Sequence, residues 1–360
     1  MPTILCLGSI NIDDVFTVPH IVTPGETLAS THYKVSPGGK GANQSVALAK
    51  AGAAPLHAGI IGPDGRWVRD LMRSHGVDIR LIELNPDLST GRAIIQHRET
   101  SGENAIVLFA GANHAVTRAW ADGVLDGVDA TQEQDRWIVM QNEISAGGNV
   151  MASAVAKGFV VVFNPAPFHA SVLDTFPIAQ VHVLVFNEIE FAGFIDAIEG
   201  GSPRRPADVV DTLMAGDTEE SRRLFQSALR RGSSCALLVV TVGARGVVAC
   251  VVRRAPETGD VLSLDVLFRP TLPDVHVADT TAAGDTFVGY LVAALAKSKE
   301  VRTYSKQGAS VGLDVFKAAV EEALARATVA AGMACEMEGA MGSVPEKKRV
   351  DSRGHSLGWW

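Results

Sequence analysis

The sequence is short of the features that would carry it out of the cell or into a membrane. Its 360 residues hold only four cysteines, Cys6, Cys235, Cys250 and Cys335. They are far apart and form no CxxC pair, which excludes a disulfide framework, and three of them lie in strongly apolar surroundings that read as core. Reduced thiols are expected. Basic charge is also scarce: 32 Lys and Arg stand against 40 Asp and Glu, a formal net charge of -8. A field of that sign repels phosphate backbones and anionic bilayers, so nucleic acid and membrane surfaces are excluded as main partners. The most apolar window, residues 236–252, is interrupted by Gly243, Arg245 and Gly246 and reads as two strands with a turn rather than a membrane span. The first apolar stretch, residues 4–10, has no basic flank and runs into Asn11, Asp13 and Asp14, so no leader is read there. A cytoplasmic location is expected, with the nucleus left open. No internal repeat is present.

What the chain does have is apolar substance and turns. Hydrophobic residues make up 47%, charged residues 20%, and there are 35 glycines, a composition that describes a globular fold with a large core and many tight bends. Short β-branched runs at residues 3–9, 58–61, 136–141, 160–164, 181–186, 236–241 and 247–252 alternate with Ala-rich helical segments at 42–51, 67–75, 149–157, 286–297 and 314–334. That alternation predicts a doubly wound α/β domain, a mainly parallel sheet with helices on both faces. One domain over residues 1–346 absorbs the length. Two stretches break the pattern. Residues 27–35, and the pair 91–99 with 104–109 around a Ser101-Gly102 turn, read as strands that follow strands and predict a small separate sheet. Residues 193–232 change to Gly, Pro and mixed charge and read as a surface insertion with one or two helices. Residues 347–360 open with Lys347-Lys348-Arg349 and read as a solvated tail.

Chemistry concentrates where small residues precede a helix. Asp279-Thr280-Thr281-Ala282-Ala283-Gly284-Asp285 leads into an apolar helix, so the backbone amides of the first turn are open to an anion and the helix dipole adds to their pull. Asp285 at the mouth of such a hole is placed to take a proton from a hydroxyl that attacks phosphorus; a plain first-turn acid reads equally well. Ser36-Pro37-Gly38-Gly39-Lys40-Gly41-Ala42-Asn43-Gln44 is a second glycine-rich turn before a helix. It is no Walker loop, since Lys40 is followed by Gly. Its glycines permit close approach to a polyhydroxy ligand, with Lys40 and Asn43 as donors, or they form an ordinary cap. Asn11 and Asp13 alternate with Ile10 and Ile12 at the end of the first strand, so both face one way and suit sugar hydroxyls, or they begin a polar turn. Asn187-Glu188-Ile189-Glu190 and Thr241-Val242-Gly243-Ala244-Arg245-Gly246 follow buried strands; each alone reads as a polar loop, and a carboxylate there suits a hydrated magnesium ion.

Taken together and in this order, Asn11 with Asp13, Gly38 to Gln44, the NxxE of Asn187 and Glu190, the TxGxxG of Thr241 to Gly246, and Asp279 to Asp285 resemble the PfkB carbohydrate kinases over roughly residues 4–345, apart from the insertion. Within that family, GSINxD, Pro24-Gly25-Glu26-Thr27, GGKGANQ and DTTAAGD are most similar to the ribokinase branch. The resemblance implies an α/β domain with a small β lid and a homodimer through that lid. It implies ATP-dependent phosphorylation of D-ribose at the 5-hydroxyl, with Asp285 as base and the amides of Ala282, Ala283, Gly284 and Asp285 as anion hole. By position, Asn11, Asp13, Gly39, Lys40, Asn43 and Glu143 would bind the sugar. Asn187, Thr241, Gly243 and Gly246 would serve the nucleotide, and Glu190 would hold magnesium through water. Asp279, Thr281, Ala334, Gly339 and Ser343 would hold an activating potassium ion. Related kinases of the family act on other sugars or nucleosides, and a non-catalytic sugar sensor shares the fold; Asp285 argues against the sensor. A Rossmann oxidoreductase is excluded, because no GxGxxG follows the first strand. The family's GxDxxG turn appears as Gly62-Pro63-Asp64-Gly65-Arg66-Trp67, with Trp67 in its last place.

Overall fold

Runs of Val, Ile and Leu with no polar alternation must be covered on both faces, and the central sheet of the computed structural model is covered in that way. Residues 2–98, 103–128, 135–231, 234–255, 258, 260–299, 301 and 313–360 are described. Seven strands lie parallel: β1 (Thr3–Leu7), β4 (Leu56–Ile61), β5 (Asp78–Leu84), β8 (Arg136–Met140), β9 (Val160–Phe163), β10 (Val183–Asn187) and β11 (Leu237–Thr241). Two antiparallel strands, β12 (Val247–Arg254) and β13 (Val261–Arg269), extend one edge. The order is β13-β12-β11-β10-β9-β8-β1-β4-β5. Alternate residues feed two buried clusters. Leu5, Ile138, Phe163, Phe186 and Leu238 face one side, with Phe191 and Phe194 of α6 (Glu188–Glu199) and Phe225 of α8 (Glu219–Leu229). Ile4, Val139, Val162, Val185 and Val239 face the other, with Leu291 of α9 (Ala283–Lys297) and Leu324 of the helix Leu313–Ala334.

The second sheet has four strands in the order β3-β2-β6-β7: β2 (Asn11–Val18), β3 (His32–Gly38), β6 (Gly91–Arg98) and β7 (Asn104–Phe109). It is the small separate sheet that the misfit stretches predict, with two differences. Residues 11–18 form a full strand, although the sequence reads only a strand end there, and the strand expected at 27–35 begins at His32. Residues before it are held in a turn, where Glu26 accepts from the Thr23 amide and hydroxyl at 3.0 and 3.1 Å. The Ser101-Gly102 turn lies outside the described residues.

Three further departures have packing causes. β5 and β13 are edge strands with mixed polarity, so no apolar run announces them. The 193–232 stretch is more than a surface addition: α7 (Pro206–Met214) and α8 bury Val209, Leu213 and Phe225 in the first cluster. Residues 347–360 form a helix, Lys347–Ser356, in place of a solvated tail. Val350 is buried, Arg326 stacks over the Trp360 ring at 4.5 Å, and any side chain at Gly354 would overlap that ring. Cation–π stacking and one glycine fix a segment whose composition is polar. All four cysteines are unpaired, three of them buried as expected. Among the described residues, no helix is long and apolar enough to cross a membrane.

Candidate active site

Strand order reverses at β1, with β4 on one side and β8 on the other, and in open α/β sheets that reversal leaves a crevice at the carboxyl ends of the strands. The crevice is floored by glycine. A Cβ on Gly41 would sit 2.6 Å from the Gly8 carbonyl carbon, so the first turn of α1 (Lys40–Lys50) packs directly on the end of β1. Gly38 faces the Asp13 carboxylate with no room for a side chain, and Gly39 has a φ of 90° that a side chain would strain. These contacts bring Asn11, Asp13, Gly39, Lys40 and Asn43 to one place.

Asp285 meets them from α9. Its carboxylate is nearly buried and accepts from Asn43 Nδ2 at Oδ2 and from Gln44 Nε2 at Oδ1, both at 3.0 Å. Glu143 closes the same group: its Oε2 accepts from the Lys40 amide at 3.1 Å and from Ser9 Oγ at 2.5 Å. Asn11 is buried, and its Oδ1 accepts from Asn113 Nδ2 at 2.7 Å.

So much buried charge moves titrations. Burial raises Asp285, opposed by Lys40 and by the Asn43 and Gln44 donors. Asp13 is pushed up to about 7, by burial first and then by the charges of Glu143, Asp285 and Asp14. Burial works against the Lys40 ammonium, but Asp285, Glu143, Glu190 and Asp13 together hold it above its ordinary range. Lys40 is therefore a cation that four carboxylates share. A polyhydroxy ligand can accept from it and donate to them.

Beside this pocket, α9 starts abruptly. Ala282 takes a left-handed φ of 59°, Ala283 N donates to Thr280 O at 3.2 Å, and Thr286 N donates to Ala282 O at 2.8 Å. The amides of Gly284 and Asp285 have no partner among the described residues, and a Cβ on Gly284 would meet nothing within 4 Å. Open amides at a helix N-terminus with free space before them suit an anion.

The remaining motifs line the next strand ends. Asn187 and Thr241 are register partners on β10 and β11. Asn187 and Glu190 form a capping box, Asn187 Oδ1 accepting from the Glu190 amide at 2.8 Å and Glu190 Oε2 from the Asn187 amide at 2.9 Å. Burial raises the Glu190 carboxyl. Thr241 Oγ1 donates to the Phe186 carbonyl at 3.3 Å, and Gly243 and Gly246 turn the chain with φ of 52° and 114°. Asp279 Oδ1 accepts from the Thr281 amide at 2.8 Å and hydroxyl at 2.6 Å, and its Oδ2 accepts from the Gly339 amide at 2.9 Å. Those three donors keep Asp279 low against the cost of its burial. The Cys335 carbonyl next to Ala334 takes the amides of Ala278 and Asp279 at 2.8 and 3.2 Å, so the two loops are stitched together. Ser343 does not join the Asp279 group directly; its Oγ donates to Ala340 O at 2.8 Å in its own turn.

Comparison with known proteins gives this arrangement a family. The model of the pfkB family carbohydrate kinases matches residues 1–347. The chain belongs to that family of kinases. It is 30% identical over 352 residues to a ribokinase of Haemophilus influenzae, covering 97% of each chain, and 28% identical over 355 residues to a ribokinase of Bacillus subtilis, covering 98% of this chain and 99% of the other. A solved ribokinase of Cryptococcus neoformans in complex with ADP superposes with a TM-score of 0.72 at 30% identity, over 98% of this chain and 100% of that one.

Several residues of the site were not marked by the sequence. Gln44 stands inside the GGKGANQ motif, where nothing in the pattern gives it a role. Gln141, Asn164 and Asn113 are single buried polar residues after apolar strands or in a short turn, and Ser9 is one hydroxyl in a strand end. The one signal available was polarity at the carboxyl end of a buried strand. Lys50 is another: its ammonium is buried and donates to Val344 O at 2.8 Å and Met341 O at 3.3 Å, anchoring the loop that carries Gly339 and Ser343 to α1.

Proposed function

We propose that this kinase transfers the γ-phosphoryl group of ATP to the 5-hydroxyl of D-ribose, giving D-ribose 5-phosphate and ADP. The observation that carries the reading is the Asp285 carboxylate, held by two amide donors on α1 within one residue of the open amides of α9. A hydroxyl that gives its proton to Asp285 stands beside a cradle for the phosphoryl group. Its oxygen attacks phosphorus, the bond to ADP breaks, the proton passes to Asp285, and the amides of Gly284 and Asp285, with that of Ala282 beside them, receive the equatorial oxygens, while the Ala283 amide stays on Thr280 O. Asn11, Asp13, Gly39, Lys40, Asn43 and Glu143 hold the sugar. Asn187, Thr241, Gly243 and Gly246 line the nucleotide side. The ribokinase relatives and the ADP in the Cryptococcus protein support both substrates.

One Glu190 oxygen is taken by the Asn187 amide, which leaves the other for a water of magnesium, the ion that neutralises triphosphate charge when bound. A potassium ion would be held by carbonyl and carboxylate oxygens of the Asp279, Thr281, Ala334 and Gly339 loops, with Ser343 adding its hydroxyl only on leaving Ala340 O. The small sheet is the lid. Its β7 exposes Ile106, Val107, Leu108 and Phe109 on both faces, by 51 to 63% of their surface, and a second copy covering it makes a homodimer. Four unpaired thiols accord with a cytosolic setting.

A coupled ADP-release assay with magnesium tests the reading. D-ribose is expected to outperform D-fructose and adenosine, and the rate in potassium to exceed that in a large organic cation. Adenosine or fructose as the better substrate would replace ribose, and equal rates in both salts would remove the cation site.

A further inference from the structure

Gln44 is fully buried, lies next to Asn43 and touches the same carboxylate, yet no part of the scheme above uses it. Its amide sits in a chain of side chains whose polarity is set from outside. The Val185 carbonyl in β10 can only accept, so the Asn164 amide turns Nδ2 toward it, at 2.9 Å. That leaves Asn164 Oδ1 facing Gln44, and Gln44 Nε2 donates to it at 3.2 Å. The second hydrogen of the same Nε2 goes to Asp285 Oδ1 at 3.0 Å. Gln44 Oε1 in turn accepts from Gln141 Nε2 at 2.6 Å. Asn164, Gln44 and Gln141 are all at least nine-tenths buried, so water does not stand in for a missing partner.

We propose that Gln44 is a positioning residue for the phosphoryl-transfer step, acting through Asp285. The backbone of β10, by way of Asn164, forbids the Gln44 amide to flip, and the fixed N–H holds one Asp285 oxygen so that the free lone pairs point at the substrate hydroxyl. A flipped amide would present Oε1 to the carboxylate and repel it. Asn43 holds the other oxygen from the same helix, so the carboxylate is clamped at both ends. The charged groups that also act on Asp285 are Lys40 of α1, Asp13 of β2 and Glu190 of α6. They act on its charge alone, whereas Gln44 both opposes the rise of its carboxyl and fixes its direction. The inference rests on Asp285 being the base.

The test is a double-mutant cycle on kcat with Gln44→Met, which keeps the length and removes both polar groups. Alone, Gln44→Met is expected to lower kcat about 10- to 100-fold, the loss of one hydrogen bond to a charged group, with the Kd for D-ribose within about threefold of wild type. In an Asp285→Asn background the same change is expected to alter the residual kcat by less than about threefold, because the group it positions is no longer a base. The same full loss in both backgrounds would mean that Gln44 serves only the fold, and would overturn the proposal. Should Gln44→Met fail to fold, Asn164→Leu is read through the same cycle: a smaller loss that vanishes in Asp285→Asn supports the proposal, and a loss that persists overturns it. An active Asp285→Asn would instead remove the base, a different failure from additivity in a dead background.

Discussion

The two halves of the cleft are made of different material. On the side proposed for the sugar, Asn11, Asn43, Gln44 and Asp285 are buried side chains, set by glycine contacts so close that backbone touches backbone at Gly8 and Gly41. On the side proposed for the nucleotide, Gly243, Ala244, Arg245 and Gly284 are exposed, and the groups offered are loop amides and turns with left-handed glycines. Buried charges whose donors are themselves fixed suit a small ligand that must be told from others by its hydroxyls. Exposed amides suit phosphates, which are alike on every nucleotide. Asp285 and Gly284 are neighbours in sequence and stand on opposite sides of this divide.

The comparison breaks first at Asp285. Asp285→Asn is nearly isosteric and keeps an acceptor, so D-ribose binding is expected to change little while kcat falls about 10² to 10⁴-fold. Isothermal titration beside steady-state rates separates the two, and a matched loss of binding would move Asp285 from chemistry to recognition.

Asp13 sharpens the sugar half. Asp13→Ala is expected to weaken D-ribose about 10- to 100-fold, the cost of a lost charged acceptor, with ATP affinity nearly unchanged. Asp13 also carries a stability signature. Its folded carboxyl keeps a proton up to about 7, whereas an ordinary one releases it near 3.8. The unliganded fold therefore binds the extra proton between those values and loses stability as pH rises through them. Tm of the apo protein is expected to fall across that window, and Asp13→Asn to flatten the fall. An unchanged slope would mean that Asp13 is better solvated than its surroundings imply.

The smallest effect is the most diagnostic of the two materials. Gly41→Ala forces a methyl against the Gly8 backbone and is expected to destabilise the fold by about 1 to 3 kcal/mol. Gly284→Ala meets no protein atom, sits in a helix and is expected to add about 0.4 to 1 kcal/mol, while slowing turnover because the methyl occupies phosphate space. Denaturant melts of the pair should move in opposite senses, with kcat lowered in Gly284→Ala. Equal destabilisation by both would deny that the α9 mouth is open.

The sequence made part of this legible, for physical reasons that differ by element. Parallel strands covered on both faces show as unbroken apolar runs, so the central sheet was readable, but β5 and β13 at its edges were not, since an edge needs no such run. β2 reads as a strand end because Ile10, Asn11, Ile12 and Asp13 alternate in either case. Glycine turns before helices announce the motifs, which is why Lys40, Asn43 and Asp285 stand out. Gln141, Asn164 and Asn113 do not, because a single buried amide leaves no pattern; its partners lie 21 to 102 residues away in the chain. The last helix was hidden by its own polarity, its anchoring resting on Trp359 and Trp360 against Arg269 and Arg326.

The central claim is that the hydroxyl beside Asp285 and the α9 amides is the 5-hydroxyl of ribose. Phosphorus NMR of the product from D-ribose, ATP and magnesium tests it most directly. A phosphate on C5 couples to two protons and gives a triplet, which is the expected result. A doublet, from phosphate on C1, or an unchanged ATP spectrum would contradict the account.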